Sequence, residues 1–182
     1  MMDARFDLID LEPETDRRVR ELWGRPPINL YRVLAHQPRI VSAWTEWNNE
    51  VRHGCTLPRA LRELIFLRSA ILQKSLYEWG QHVGMARRAG MDEARIEAIE
   101  YWQAADIFDP RERIVLRCTD EITAGALSDR AFVALREILS SGEAIEVIVT
   151  ASHACMLARV IQALAVTDDG ERVAAEPTPK EN

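Results

Sequence analysis

Apolar residues recur at helical spacing along most of this 182-residue chain. Between Ile40 and His53 they return every three or four positions, as expected for the buried face of an α-helix. From Arg59 to Gln73 they cover much of the helix circumference, which predicts a central helix surrounded by others. No stretch alternates polar and apolar residues for long enough to predict a strand. The pattern therefore predicts an all-α fold, a bundle of about eight helices.

Capping residues and helix breakers indicate where these helices begin and end. The predicted helices cover residues 14–23, 30–36, 40–53, 56–73, 75–90, 92–102, 111–123, 128–139 and 143–166. Their predicted N-caps include Thr56, Ser75, Asp92 and Ser128, and their predicted stops include Gly24, Gly90 and Gly125. In the helix after Ser128, the spacing predicts that Phe132, Leu135 and Ile138 face inward.

The length of the chain predicts one main domain, and the composition of both ends differs from that of this domain. Residues 1–24 are expected to form an N-terminal arm and a short helix, and residues 25–166 the helical domain. Residues 167–182 are polar and contain prolines. This tail is therefore expected to be loose or to reach a neighbouring subunit.

Charge and hydropathy argue against two classes of partner. The formal net charge is -6, and the basic residues are interleaved with acidic ones. Nucleic acids and anionic membranes require clustered Lys and Arg, so neither is expected as a partner. The acidic N-terminus lacks the apolar core of a signal peptide, and no segment approaches the roughly 20 apolar residues of a membrane span. We therefore expect a cytoplasmic protein.

The cysteines and the familiar ligand motifs predict neither a metal nor a nucleotide site. Cys55, Cys118 and Cys155 are far apart and form no Cys-x-x-Cys pair, so three small buried or half-buried residues are expected. Residues 50–53 give one Glu-x-x-His motif, whereas di-iron bundles use two with further glutamates. Phosphate-binding glycine loops and the G-x-S-x-G elbow are absent.

Glu63 and His82 are the main candidates for chemistry. Helical spacing directs both inward, where ionisable groups are costly unless they are paired. An alternative for Glu63 is an exposed position or an ion pair with Arg59 or Arg62. His82 titrates near neutral pH, which makes it the natural acid or base of a site, but a satisfied core histidine is the competing interpretation.

Ser75 and Glu78 lie on the same stripe of the helix as His82. Glu78 precedes His82 by one turn, where its carboxylate is expected to fix the tautomer of the imidazole. A different interpretation is equally open, because Ser75 and Glu78 match the S-x-x-E capping box, which satisfies backbone N–H groups without any chemistry.

Three further residues are candidates for substrate binding. Tyr77 and Trp79 flank Glu78, and Trp79 lies nearer to the stripe of His82. His153 follows Glu146 by two turns on the long C-terminal helix, from where it would reach the pocket across the bundle. For all three, packing without chemistry is the competing interpretation.

The run RELIFLRSAILQKSLYEWGQHVGMARRAG resembles the carboxymuconolactone decarboxylase family, whose other branch is the AhpD-like alkylhydroperoxidases. That branch carries Cys-x-x-Cys-x-x-x-His, with a glutamate upstream. Counting back from His82, its two cysteine positions fall on Ser75 and Glu78, and its glutamate falls on Glu63. Both thiols are absent, so the resemblance is to the branch without the redox motif. It implies an AhpD-like helical bundle that assembles into trimers or hexamers.

The resemblance also implies a function. It implies a cofactor-independent lyase that removes carbon dioxide from a small carboxylated lactone or a related ring compound. His82, oriented by Glu78, would donate or relay the proton, and Glu63 would be the second acid–base group or would hold His82 in its useful charge state. A non-catalytic binding or assembly protein of the same fold remains an alternative, and a peroxide-related antioxidant protein is a weaker one. Proton-shuttling isomerisation or oxidation of another small ring compound would use the same residues and is a third possibility. Trp44, Trp47 and the C-terminal tail are the expected subunit contacts.

Overall fold

The computed structural model describes residues 5–167, and over this range it contains nine α-helices and no strand. The predicted all-α fold is therefore confirmed. The helices are α1 (Pro13–Trp23), α2 (Asn29–Leu34), α3 (Pro38–Asn49), α4 (Arg59–Gln73), α5 (Leu76–Arg88), α6 (Glu93–Ala98), α7 (Pro110–Ala124), α8 (Asp129–Ile138) and α9 (Ser141–Leu164). A π-helical turn follows α3 at Glu50–Gly54, and a 3-10 turn follows α6 at Ile99–Tyr101.

The described residues divide into two compact units, 5–50 with 161–167 and 51–160. In the first unit, α1 packs against α3. Arg18 and Glu46 join these two helices through two hydrogen bonds of 2.7 and 2.8 Å. The division predicted at residues 24 and 166 stays a prediction, and the predicted tail beyond Thr167 lies outside the described residues.

The second unit is built around α4, which packs against α5 and α7. Ile65 and Leu67 are fully buried, and even the polar Arg68 and Ser69 of this helix lie inside. A helix that is apolar around its circumference needs neighbours on several sides, so the sequence pattern placed α4 correctly at the centre.

Most of the predicted caps are present. The hydroxyl of Ser75 accepts the N–H of Glu78, and the side chains of Asp92 and Ser128 cap α6 and α8 in the same way. Thr56 was predicted to cap the central helix, which is wrong, because α4 begins at Arg59.

The predicted inward face of α8 needs a correction. Leu135 is buried as predicted, but Phe132 and Ile138 are exposed. The small, fully buried Ala131 forms the contact face together with Leu135. Phe132 is rotated about 100° from Ala131, so its ring points towards the surface.

By length and composition alone, α9 qualifies as a helix that could cross a membrane. The expectation that no segment approaches this length was therefore wrong. More than half of its apolar segment is buried inside the protein, which is typical of a core helix. The run of apolar residues thus reflects packing rather than contact with lipid.

Candidate active site

Glu63 and His82 meet in the interior of the second unit. Glu63 lies on α4 and His82 on the neighbouring α5, and each is only 5% exposed. His82 Nδ1 is 2.8 Å from Glu63 Oε2, a short hydrogen bond between two buried side chains. The packing of α4 against α5 therefore joins two residues that are nineteen positions apart.

The charges around this pair determine its protonation. Burial raises the pKa of Glu63, but the hydrogen bond from His82 and the nearby guanidinium groups of Arg52 and Arg59 outweigh it and lower the pKa below its ordinary value. Burial lowers the pKa of His82, against the opposing effect of Glu63. Glu63 is therefore an anion and His82 a neutral imidazole at neutral pH. Nδ1–H then donates to Glu63, which leaves the lone pair on Nε2 for chemistry.

The imidazole of His82 lies in a small cluster of rings. The ring of Phe66 stacks on His82, with centroids 4.2 Å apart and an interplanar angle of 12°. The ring of His153 approaches Phe66 edge-on, with centroids 6.2 Å apart. Burial, together with the charges of His82 and Arg52, lowers the pKa of His153 to about 4. His153 is therefore neutral and lies close to the Glu63–His82 pair, although its predicted role in substrate binding stays a prediction.

Glu78 does not orient His82, so that prediction was wrong. The Nδ1 atom of His82 is held by Glu63, and neither carboxyl oxygen of Glu78 has a hydrogen-bond partner among the residues that the structure describes. Glu63 reaches His82 from the neighbouring helix α4 and occupies its Nδ1 atom. Orientation by a neighbouring helix is what spacing along one helix cannot reveal.

Glu78 is the most unusual group of this region. It is only 1% exposed, and burial raises the pKa of its carboxyl well above the ordinary value. The carboxyl is therefore a neutral acid at neutral pH. Of the predicted capping box, the half in which Ser75 accepts the Glu78 N–H is present at 3.4 Å, but the carboxyl does not complete the other half.

Tyr77 and Trp79 are both half-buried on α5. Trp79 packs against the apolar core of the second unit. Their predicted roles in substrate binding stay predictions.

Arg52 and Arg59 were not identified as site residues from the sequence. Arg59 Nε lies 3.7 Å from Glu63 Oε1, and Arg52 Nη2 lies 2.8 Å from the sulfur of Met85, one turn after His82. The position of Arg59 one turn before Glu63 was a usable signal. Arg52 had none, because only the folding of the π-helical turn onto α5 brings it near.

Burial determines the reactivity of Cys118. All three are thiols, and burial raises the pKa of Cys118 to about 11. The sulfur of Cys155 lies 3.3 Å from the hydroxyl of Thr123 in the core. Reactive cysteines need a thiolate, so Cys118 is a structural residue. Among residues 5–167, no group of three His, Cys, Asp or Glu side chains is arranged to hold a metal ion.

Part of the chain is similar to a known protein family. Residues 38–121 match the model of the carboxymuconolactone decarboxylase family. The match includes α4 and α5, which carry Glu63, Glu78 and His82. No curated protein sequence matches the chain.

Solved structures share the fold. An uncharacterised peroxidase-related protein from Ralstonia eutropha JMP134, described as an alkylhydroperoxidase AhpD core, superposes with a TM-score of 0.80 at 18% identity, covering 99% of this chain and 100% of its own. A peroxidase-related protein from Silicibacter sp. TM1040 has a TM-score of 0.79 at 20% identity, covering 95% of each chain. The debrominase Bmp8, bound to 2,3,4-tribromopyrrole, has a TM-score of 0.76 at 17% identity and covers 94% of this chain and 97% of its own. These likenesses establish an AhpD-like helical fold.

Proposed function

We propose that this chain, in which residues 38–121 match the model of the carboxymuconolactone decarboxylase family, is a cofactor-independent lyase that decarboxylates a small carboxylated lactone or a related ring compound. The observation that carries the proposal is the buried hydrogen bond of 2.8 Å between Glu63 and His82. A buried carboxylate–imidazole pair in which one ring nitrogen carries a lone pair can act as a general acid or base.

Arg52 and Arg59 provide positive charge for the substrate carboxylate. Both guanidinium groups act electrostatically on Glu63 and His82, which supports a role for them in attracting the substrate carboxylate to this pair.

The proposed reaction breaks one C–C bond and forms one C–H bond. Carbon dioxide leaves, and the electron pair of the broken bond remains on the ring as a dienolate. His82 passes a proton from solvent through Nε2 to the dienolate carbon, while the Glu63 carboxylate stabilises the transient imidazolium. A lowered pKa of His82 favours this step, because it makes the protonated ring the stronger acid.

The acid–base pair accounts for part of the expected acceleration over the uncatalysed reaction. Positioned acid–base groups contribute about 10²- to 10⁴-fold. The remainder comes from holding the ring in an apolar environment in which the fixed charges act strongly. The debrominase Bmp8 binds a small planar heterocycle with the same fold, which supports a ring-shaped substrate. We further propose that the enzyme is a cytoplasmic homo-oligomer, a trimer or hexamer, that serves in the degradation of aromatic compounds.

The test is decarboxylation of carboxymuconolactone by the full chain, followed by NMR. We expect His82→Ala and Glu63→Gln to lower kcat by about 10²-fold or more, because each removes one half of the proton relay. His36→Ala and Glu97→Gln replace exposed residues of the same types and are the matched controls, expected to retain full activity.

Two results would contradict the proposal. If no carboxylated ring compound is turned over and His82→Ala changes only stability or assembly, the protein is a non-catalytic binding or assembly protein of this fold. If the protein instead reduces hydroperoxides with a thiol regenerant, and alkylation of its cysteines abolishes that activity, it belongs with the peroxide-related proteins.

A further inference from the structure

Glu78 is a buried acid that the proposed decarboxylation does not use. Its side chain is almost completely inaccessible, and its two oxygens have no hydrogen-bond partner among residues 5–167. Leaving a buried polar group unsatisfied is destabilising. The capping box does not account for this cost, because only the hydroxyl of Ser75 takes part in it. Such a group calls for an explanation beyond helix stability.

The position of Glu78 relative to His82 supplies one. The two residues are four positions apart on α5 and therefore lie on the same face, one turn from each other. His82 presents the lone pair of Nε2, since its Nδ1 is bound to Glu63. Glu78 presents a proton, because burial without a compensating charge keeps its carboxyl neutral. One helix face thus carries a neutral base and a neutral acid.

We propose that this site has a second activity, the migration of a double bond in β,γ-unsaturated lactones or ketones by allylic proton transfer, with His82 as the base and Glu78 as the acid. In a two-group mechanism, one group removes a proton and another, a few ångströms away, supplies one. A base and an acid one helical turn apart span that distance, since neighbouring Cβ atoms on a helix face are about 5–6 Å apart.

The step balances as follows. Nε2 of His82 takes the proton from the α carbon, and the electrons of that C–H bond form the dienolate. The O–H bond of Glu78 breaks as its proton bonds to the γ carbon, and the double bond moves into conjugation with the carbonyl. This leaves an imidazolium and a carboxylate, and transfer of one proton from His82 to Glu78, directly or through solvent, restores the resting site.

This activity needs no carboxyl group on the substrate, so it is separable from decarboxylation although both use His82. The probe is α-angelica lactone, a small β,γ-unsaturated lactone whose conjugated isomer is β-angelica lactone. In deuterium oxide, NMR follows both the exchange of the α proton and the formation of the conjugated isomer.

We expect the full chain to convert α- into β-angelica lactone faster than buffer does. His82→Ala should abolish both α-proton exchange and isomerisation. Glu78→Gln keeps the shape but not the proton, so it should slow isomerisation by about 10²-fold or more while α-proton exchange continues. Glu97→Gln, an exposed glutamate on α6, is the matched control. An unfolding curve of each variant verifies that it is folded.

A wild-type experiment tests the acid independently of the Glu78 variant. With enzyme in excess over lactone in deuterium oxide, the first turnover should place deuterium on the γ carbon, because Glu78 has exchanged with solvent. Protium carried from the α to the γ carbon would show a single base and overturn the proposal. Failure to exceed the buffer rate, or full isomerisation by Glu78→Gln, would overturn it as well. Decarboxylation retained by Glu78→Gln would leave the proposed function standing in either case.

Discussion

At the scale of single residues, Glu63 and Glu78 show how the same side chain takes opposite charge states within one site. Both are buried in neighbouring helices. Glu63 has His82 and two guanidinium groups nearby, and its pKa is lowered. Burial raises the pKa of Glu78. Paired titratable groups with opposed pKa shifts are what acid–base chemistry at neutral pH requires.

His153 provides a prediction about stability and pH. Its pKa is about 4 in the folded protein and 6.5 when unperturbed, so between these values the unfolded chain binds a proton that the folded protein does not. Stability should therefore fall as the pH drops from about 6.5 to 4, by roughly 3 kcal/mol for this residue at most.

In the variant His153→Gln, the side chain at position 153 does not titrate. We expect the difference in unfolding free energy between neutral pH and about pH 4, measured in urea, to be smaller in this variant than in the wild type. His36→Gln, at an exposed position, should show the same fall as the wild type. An unchanged fall in His153→Gln would mean that His153 is not buried as a neutral group.

At the scale of helices, the contacts of α4 decide the geometry of the site. The loop that precedes α4 is bound by Glu146 of α9. The carboxylate of Glu146 accepts the N–H groups of Thr56 at 2.9 Å and Leu57 at 2.7 Å. Arg62 donates to the carbonyls of Cys55 and Leu57 in the same loop. This loop therefore connects α9, which carries His153, to α4, which carries Glu63.

Removing the Glu146 carboxylate tests this connection. Glu146→Ala leaves two backbone N–H groups without their acceptor, and we expect a loss of about 1–2 kcal/mol in unfolding free energy. Urea unfolding measures it, with Glu137→Ala on the exposed side of α8 as the control. A loss no larger than that of the control would show that the loop is held by its other contacts.

At the scale of the whole molecule, self-association stays a prediction of the sequence. Trp44 is half-buried, while Trp47 on the same helix is 46% exposed, an unusual position for so large an apolar ring. Exposed aromatic residues are common anchors of protein interfaces.

Light scattering after size exclusion is expected to give a multiple of the chain mass, three or six by resemblance to the family. Trp47→Ser should shift the distribution towards the monomer, because it removes an interface anchor. Tyr101→Ser, which alters another exposed aromatic residue, should not. A wild-type protein that is monomeric at every concentration would contradict the prediction.

Much of the local structure followed from the sequence, because its causes are local. Ser75, Asp92 and Ser128 cap helices through backbone N–H groups three residues away, and the spacing of apolar residues reveals a buried face without knowledge of its partner. Thr56 and Phe132 were misplaced for the opposite reason. A glutamate ninety positions away binds the loop at Thr56, and the small Ala131, not the larger Phe132, sets how α8 packs.

The sequence by itself determined that this chain is all-helical and that α4 is central, and it made Glu63 and His82 the main candidates for inward-facing ionisable residues. Only the tertiary structure decided which carboxylate holds the imidazole, that Arg52 lies near it, and that Glu78 is a neutral acid. The physical reason is that helix formation and capping depend on nearby residues, whereas hydrogen-bond partners and pKa values depend on the side chains and charges that packing brings together from distant positions.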